Sequence, residues 1–164
     1  DPGNIYPIDF EEFLVAAKDK LGERGVELDH FHLDFSYQDC RYDGREQKRL
    51  DFGRIMAAEK IIKSLGLDCG MIINAFDDLS YGDSTSGNMV GEKEKAKNPA
   101  VRSASAVANT LKYFDGYVAA GGDPDLWIFQ RWQPYPDITG PETDPNTDMG
   151  VTRLLVNRLK KVKE

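Results

Sequence analysis

The sequence predicts an α/β fold of parallel βα units, curled into part of a barrel. Three observations carry this. A helix, a short glycine-containing connection and a strand succeed one another three times along the chain. The connections from strand to helix are long instead: about 36–50, 77–98 and 133–148. The strands also read with one apolar face and one partly polar face. An open sheet covered on both sides would be apolar on both, whereas a barrel tolerates polar groups inside near its working end.

The first helix is expected over 10–21. Asp9 is a good N-cap, and Glu12 three residues on completes a capping box. Phe10, Phe13, Leu14, Ala17 and Leu21 recur at helical spacing, and Gly22 marks the end. A strand follows over 26–35. The second helix covers 52–65, with Phe52, Ile55, Met56, Ile62 and Leu65 on one face. Gly66 closes it before a strand over 70–76. Asn98 and Pro99 open the third helix, a capping side chain followed by proline at the first helical position. Ala104, Val107, Leu111 and Val118 form its stripe. Gly121 and Gly122 end it, and the third strand runs over 126–132. The last helix, 149–162, carries Val151, Leu154, Leu155 and Leu159. Its Lys160, Lys161 and Lys163 suit the negative end of the helix dipole.

The 164 residues fit a single domain, 1–164. A hydrophobic fraction of 40% is enough for a core. The formal charge is -7, and the basic residues are scattered except at the tail. That argues against nucleic acid or an anionic membrane surface as partner and favours a neutral or cationic small ligand. Apolar runs are too short for a membrane span. The chain starts at Asp1 without Met or a signal peptide, compatible with a processed extracellular protein and with a piece of a longer chain. Localisation stays open.

Cys40 and Cys69 form no CxxC or Cys/His cluster, which speaks against structural zinc. They fall at opposite ends of their elements, roughly 20 Å apart for a six-residue strand. A disulfide needs Cα atoms within about 7 Å, so two free thiols are expected.

In parallel α/β folds the site lies at the carboxyl ends of the strands, in the loops that follow. Strand alternation puts His30, His32 and Asp34 on one side and Phe31, Leu33 and Phe35 on the other. Ile72 and Asn74 oppose Met71, Ile73 and Ala75. Ile128, Gln130 and Trp132 oppose Trp127, Phe129 and Arg131. The polar sides should face a barrel interior or cleft. Asp34 is then the best catalytic candidate, with Asp77, Asp78, Asp39, Asp43 and Glu142 as partners from the loops. Paired carboxylates are the machinery of glycoside hydrolysis. Tyr37, Tyr42, Tyr81, Trp132 and Tyr135 cluster after the strands and suit the C–H faces of a sugar, with Asn74 and Gln130 as hydrogen-bonding groups. The glycine-rich run 82–91 lacks the Lys-Ser/Thr of a phosphate loop and reads as a lid.

Several segments carry a resemblance. Leu28 to Asp34 (LDHFHLD), Leu67 to Asn74 (LDCGMIIN), and above all Pro124 to Trp132 (PDLWIFQRW) with Pro134, Pro136 and Pro141 to Asp144 (PETD) look like strand ends of glycoside-hydrolase-like TIM barrels. The resemblance spans most of the chain. It implies a carbohydrate-active protein, a glycoside hydrolase acting on poly- or oligosaccharide. Asp34, Asp77 and Glu142 would be its catalytic carboxylates. His32, Tyr37, Asn74, Gln130, Trp132 and Tyr135 would bind the sugar, Trp132 by stacking. No cofactor is implied, and no metal.

A complete (β/α)₈ barrel takes about 200–250 residues or more, and this chain supplies three clear strands. The TIM-barrel-like fold is therefore expected to be partial, a half barrel completed by a second copy or by the remainder of a longer chain. No expected strand ends in Glu, which favours an alternative: a noncatalytic saccharide-binding module using the same groove. A third reading is a metal-dependent hydrolase using His30, His32 and Asp34, since imidazole and carboxylate suit several divalent metals.

Overall fold

The computed structural model describes residues 9–37, 52–75, 77, 98–130 and 135–162. Their elements alternate: α1 (Phe10–Gly22), β1 (His30–Ser36), α2 (Phe52–Ser64), β2 (Asp68–Asn74), α3 (Pro99–Ala119), β3 (Leu126–Phe129) and α4 (Asp148–Val162). The sheet is parallel and its strand order is β1-β2-β3. Chain order and spatial order coincide, without the reversal that defines a doubly wound sheet. A mixed α/β fold with partial βα character is thus present.

The described residues fall into two compact units. The first takes those within 1–35, 39–72 and 116–128; the second takes those within 36–38, 73–115 and 129–164.

The first unit holds α1, α2 and most of the sheet. Asp9 caps α1 by accepting the Glu11 N–H at 2.8 Å, and Glu11 and Glu12 place negative charge in the first turn. Each helix then stops in the same way. Gly25, Gly66 and Gly121 have φ of 73°, 71° and 93°. The N–H after each reaches back five residues: Val26 to the Leu21 carbonyl, Leu67 to Ile62 and Gly122 to Tyr117. This is the Schellman closure, and the left-handed position is cheap only for glycine. The next strand leaves at once, and the sheet's first ties are the Asp68 N–H to the Asp29 carbonyl and the Asp125 N–H to the Cys69 carbonyl, both 2.9 Å.

Alternation along β1 is as expected. Phe31 packs edge-on against Phe10 of α1, centroids 5.8 Å apart, and Leu33 is buried. His30, His32 and Asp34 are exposed on the other side. The His32 ring lies over Gly70, where a Cβ would come within 2.4 Å of it. Trp127 packs on Tyr117, centroids 5.7 Å apart, as expected for the helix-facing side of β3.

Several boundaries and faces differ from expectation. β1 begins at His30, and Val26 is exposed. β2 runs two residues earlier than predicted, which puts Cys69 inside it as a buried free thiol. β3 stops at Phe129. Phe13 is 48% exposed, outside the buried stripe of α1. On α3 the buried positions are Ser103, Ala106, Val107, Asn109, Tyr113, Phe114 and Tyr117, while Ala104 is exposed. The helix is apolar on more than one side, and the side carrying Tyr113, Phe114 and Tyr117 is the buried one.

A polar network sits inside the first unit. Glu59, only 4% exposed, lies in the α2 stripe between Ile55 and Ile62. It accepts the Tyr117 hydroxyl at 2.5 Å and the Asp123 N–H at 3.3 Å, and pairs with Lys63 at 3.1 Å. Burial raises the Tyr117 pKa, helped by the hydrogen bond to Glu59 and its charge. Burial works against the Lys63 charge, but Glu59, Asp125 and Asp123 outweigh it and raise that pKa.

The second unit holds the body of α3, the strand ends and α4. Asn98 caps α3 through the Ala100 N–H at 3.1 Å. Thr147, fully buried, caps α4: its hydroxyl accepts the Gly150 N–H at 3.0 Å and lies 2.8 Å from the Pro141 carbonyl. The Asp148 and Met149 N–H groups are taken by the Ile138 and Thr139 carbonyls, at 3.0 and 2.8 Å. The orphan donors of the helix start are thereby satisfied.

Candidate functional site

The second unit contains a cavity of about 340 Å³ at the carboxyl ends of β2 and β3. This is within the ~300–1,000 Å³ of ordinary small-ligand sites. Its apolar lining residues are Ile73, Ala75 and Phe129 from the strand ends with Pro136, Val151 and Leu155. Its polar lining residues are Gln130, Tyr135, Thr110, Asp148 and Thr152.

Three of those polar groups can offer acceptors. The Thr110 hydroxyl donates to the Ala106 carbonyl and the Thr152 hydroxyl to the Asp148 carbonyl, each at 2.8 Å. Toward a ligand these oxygens can only accept. Asp148 adds a carboxylate, Gln130 an amide with both functions and Tyr135 a phenol. A lining that mixes acceptors with apolar side chains suits a molecule with many hydroxyl donors and C–H faces.

Beside the cavity stands an ion pair. Asp77 has no exposed surface, and its Oδ1 and Oδ2 lie 3.4 and 3.2 Å from Nε and Nη2 of Arg102. Arg102 comes from the first turn of α3. Its guanidinium carbon stands 4.1 Å from the centroid of the Tyr135 ring, within the ~6 Å of a cation–π contact.

The expected site residues are thus dispersed. Gln130 and Tyr135 line the cavity together. Asp77 stands beside it, its oxygens held by the guanidinium of Arg102. Glu142 is exposed in the segment before α4. Asn74 is buried on the other side of β2 from Ile73. Tyr37 is half-buried, its ring centroid 5.9 Å from that of Tyr113. Asp34 and His32 belong to the first unit, on its exposed strand face. Trp132, Cys40, Tyr42, Tyr81, Asp39, Asp43, Asp78 and the glycine-rich run 82–91 lie outside the described residues.

The cavity is at the strand ends; Ile73, Ala75 and Phe129 belong to the sides that alternation assigned to the helices, and Gln130 to the polar side. Arg102, Thr110, Asp148 and Thr152 escaped the sequence reading. The threonines, each set in a mostly apolar helical stripe, were the available signal.

A metal site at His30, His32 and Asp34 is not supported. The two imidazole centroids are 5.0 Å apart, and His30 Nδ1 is bonded to the Asp29 carboxylate. Among the described residues no group of three His, Cys, Asp or Glu side chains could hold a metal ion. No described helix is long and apolar enough to cross a membrane. Comparison with protein-family models, curated proteins and solved structures gives no significant match.

Proposed function

We propose that the chain is carbohydrate-active and that it binds a saccharide in the cavity at the ends of β2 and β3. The observation that carries this reading is a lining that combines the polar side chains Thr110, Thr152, Asp148, Gln130 and Tyr135 with the apolar Ile73, Ala75, Phe129, Val151 and Leu155. A sugar ring presents hydroxyl donors at its edge and C–H groups on its faces, and both find a counterpart here. Binding rather than hydrolysis is the step we assign. Glycoside hydrolysis uses two carboxylates across the scissile bond, and among the described lining residues Asp148 supplies the one carboxylate. In this reading the sheet is a portion of a TIM-barrel-like fold. Its sequential strand order and the exposed polar face of β1 support that.

The test is calorimetric titration with maltohexaose, cellohexaose, xylohexaose and chitohexaose. One of them should bind the wild type, and Thr152→Trp, which fills the cavity, should abolish that binding while leaving the melt cooperative. Binding that survives Thr152→Trp would place the sugar elsewhere. New reducing ends released from the bound hexasaccharide would make the chain a hydrolase and overturn the assignment of binding alone.

A further inference from the structure

We infer that Asp77 is a positioning residue, holding Arg102 so that the guanidinium orders the Tyr135 ring at the cavity wall. Three observations converge. Asp77 is fully buried, and a buried carboxylate is costly unless a cation and good geometry compensate it. Both of its oxygens face the same guanidinium, at 3.4 and 3.2 Å. That guanidinium in turn covers the ring of Tyr135 at 4.1 Å. The three residues come from the segment after β2, the first turn of α3 and the segment before α4, so none of these contacts follows from chain proximity. Arginine suits the task because its planar fork grips a carboxylate while its flat face stacks on a ring. Lysine keeps the charge and loses both geometries. Asp77 thereby acts on the cavity at one remove, through the orientation of an aromatic group that lines it.

The binding arm of the test rests on the saccharide reading; the spectroscopic arm does not. Protein labelled at tyrosine is prepared as wild type, Asp77→Asn and Arg102→Lys, and the Tyr135 ring signal is identified by its loss in Tyr135→Phe. The ring signal should move in both variants, without ligand. With whichever of the four hexasaccharides binds the wild type, Asp77→Asn should weaken affinity about tenfold. In a Tyr135→Leu background Asp77→Asn should weaken it no further. An unmoved ring signal, or an equal loss in the Tyr135→Leu background, overturns the inference. If Asp77→Asn does not fold, Arg102→Lys retains the ion pair and decides by the same signal. If no hexasaccharide binds the wild type, the saccharide reading falls, and the ring signal alone upholds or overturns the role of Asp77.

Discussion

Gly150 sets intrinsic helix propensity against tertiary packing. It occupies the first turn of α4, where Ala is ordinarily the better residue by about 1 kcal/mol. A Cβ there would stand 1.8 Å from the Asp144 carbonyl oxygen, 2.7 Å from its carbon and 3.0 Å from the Thr147 hydroxyl. The obstacle is backbone and cannot swing aside as a side chain would. Relieving it means moving the turn before α4, which holds the Thr147 contacts to Pro141 and Gly150. Overpacking costs about 1–3 kcal/mol and a lost threonine cap about 1 kcal/mol. Less the propensity gain, Gly150→Ala should destabilise by about 2 kcal/mol. Urea unfolding with an unchanged m-value measures this, and the melting point should fall by about 4–8 °C. A Gly150→Ala variant as stable as the wild type, or more so, would refute the close approach of Asp144 and with it the placement of the α4 side chains around the cavity.

Two further predictions concern the first unit. Glu59→Ala strands the buried Tyr117 hydroxyl and the Asp123 N–H, and should cost about 3 kcal/mol, whereas Tyr117→Phe leaves Glu59 with Lys63 and Asp123 and should cost about 1 kcal/mol. Equilibrium unfolding that reverses this ranking would refute the network. Burial, reinforced by the charges of Glu59 and Asp125 against that of Lys63, pushes the Cys69 thiol from 9.0 up to about 12. Below pH 9 the thiol is protonated whether the chain is folded or not, so stability is undiminished. As pH rises toward about 12 the unfolded chain loses this proton first, and stability should fall by about 1.4 kcal/mol per pH unit from this group. Cys69→Ala should remove that increment between pH 9 and 11; an identical pH dependence in the variant would refute the burial of the thiol.

What could be read from the sequence was what local physics decides. The Asp9 and Asn98 caps, the glycine closures at Gly66 and Gly121 and the period-2 alternation of β1 all act within a few residues and are where they were expected, while the first helix is closed by Gly25 rather than Gly22. Tertiary choices were harder to foresee. Phe13 and Ala104 sit at plausible apolar positions, yet the buried stripes run past them, because Leu14 on α1 and the bulkier Tyr113, Phe114 and Tyr117 on α3 fill the interior. Nothing local marks Glu59 as buried, because its partners, Tyr117 and Asp123, lie 58 and 64 residues away. Asp77 stood out as a loop carboxylate that could partner Asp34. Its partner Arg102 did not, since 25 residues separate them and nothing in either segment announces the pairing. Alternation separated the strand residues that line the cavity, since Ile73, Ala75 and Phe129 fall on the sides assigned to the helices and Gln130 on the polar side.

The most direct test of the saccharide reading is to map binding residue by residue. Backbone amide shifts of ¹⁵N-labelled protein are followed while maltohexaose, cellohexaose, xylohexaose and chitohexaose are added in turn. The account predicts that one of them shifts Gln130, Tyr135, Asp148 and Thr152 together, saturably and with a single affinity. Shifts confined to His30, His32 and Asp34, or none with any of the four, would contradict it.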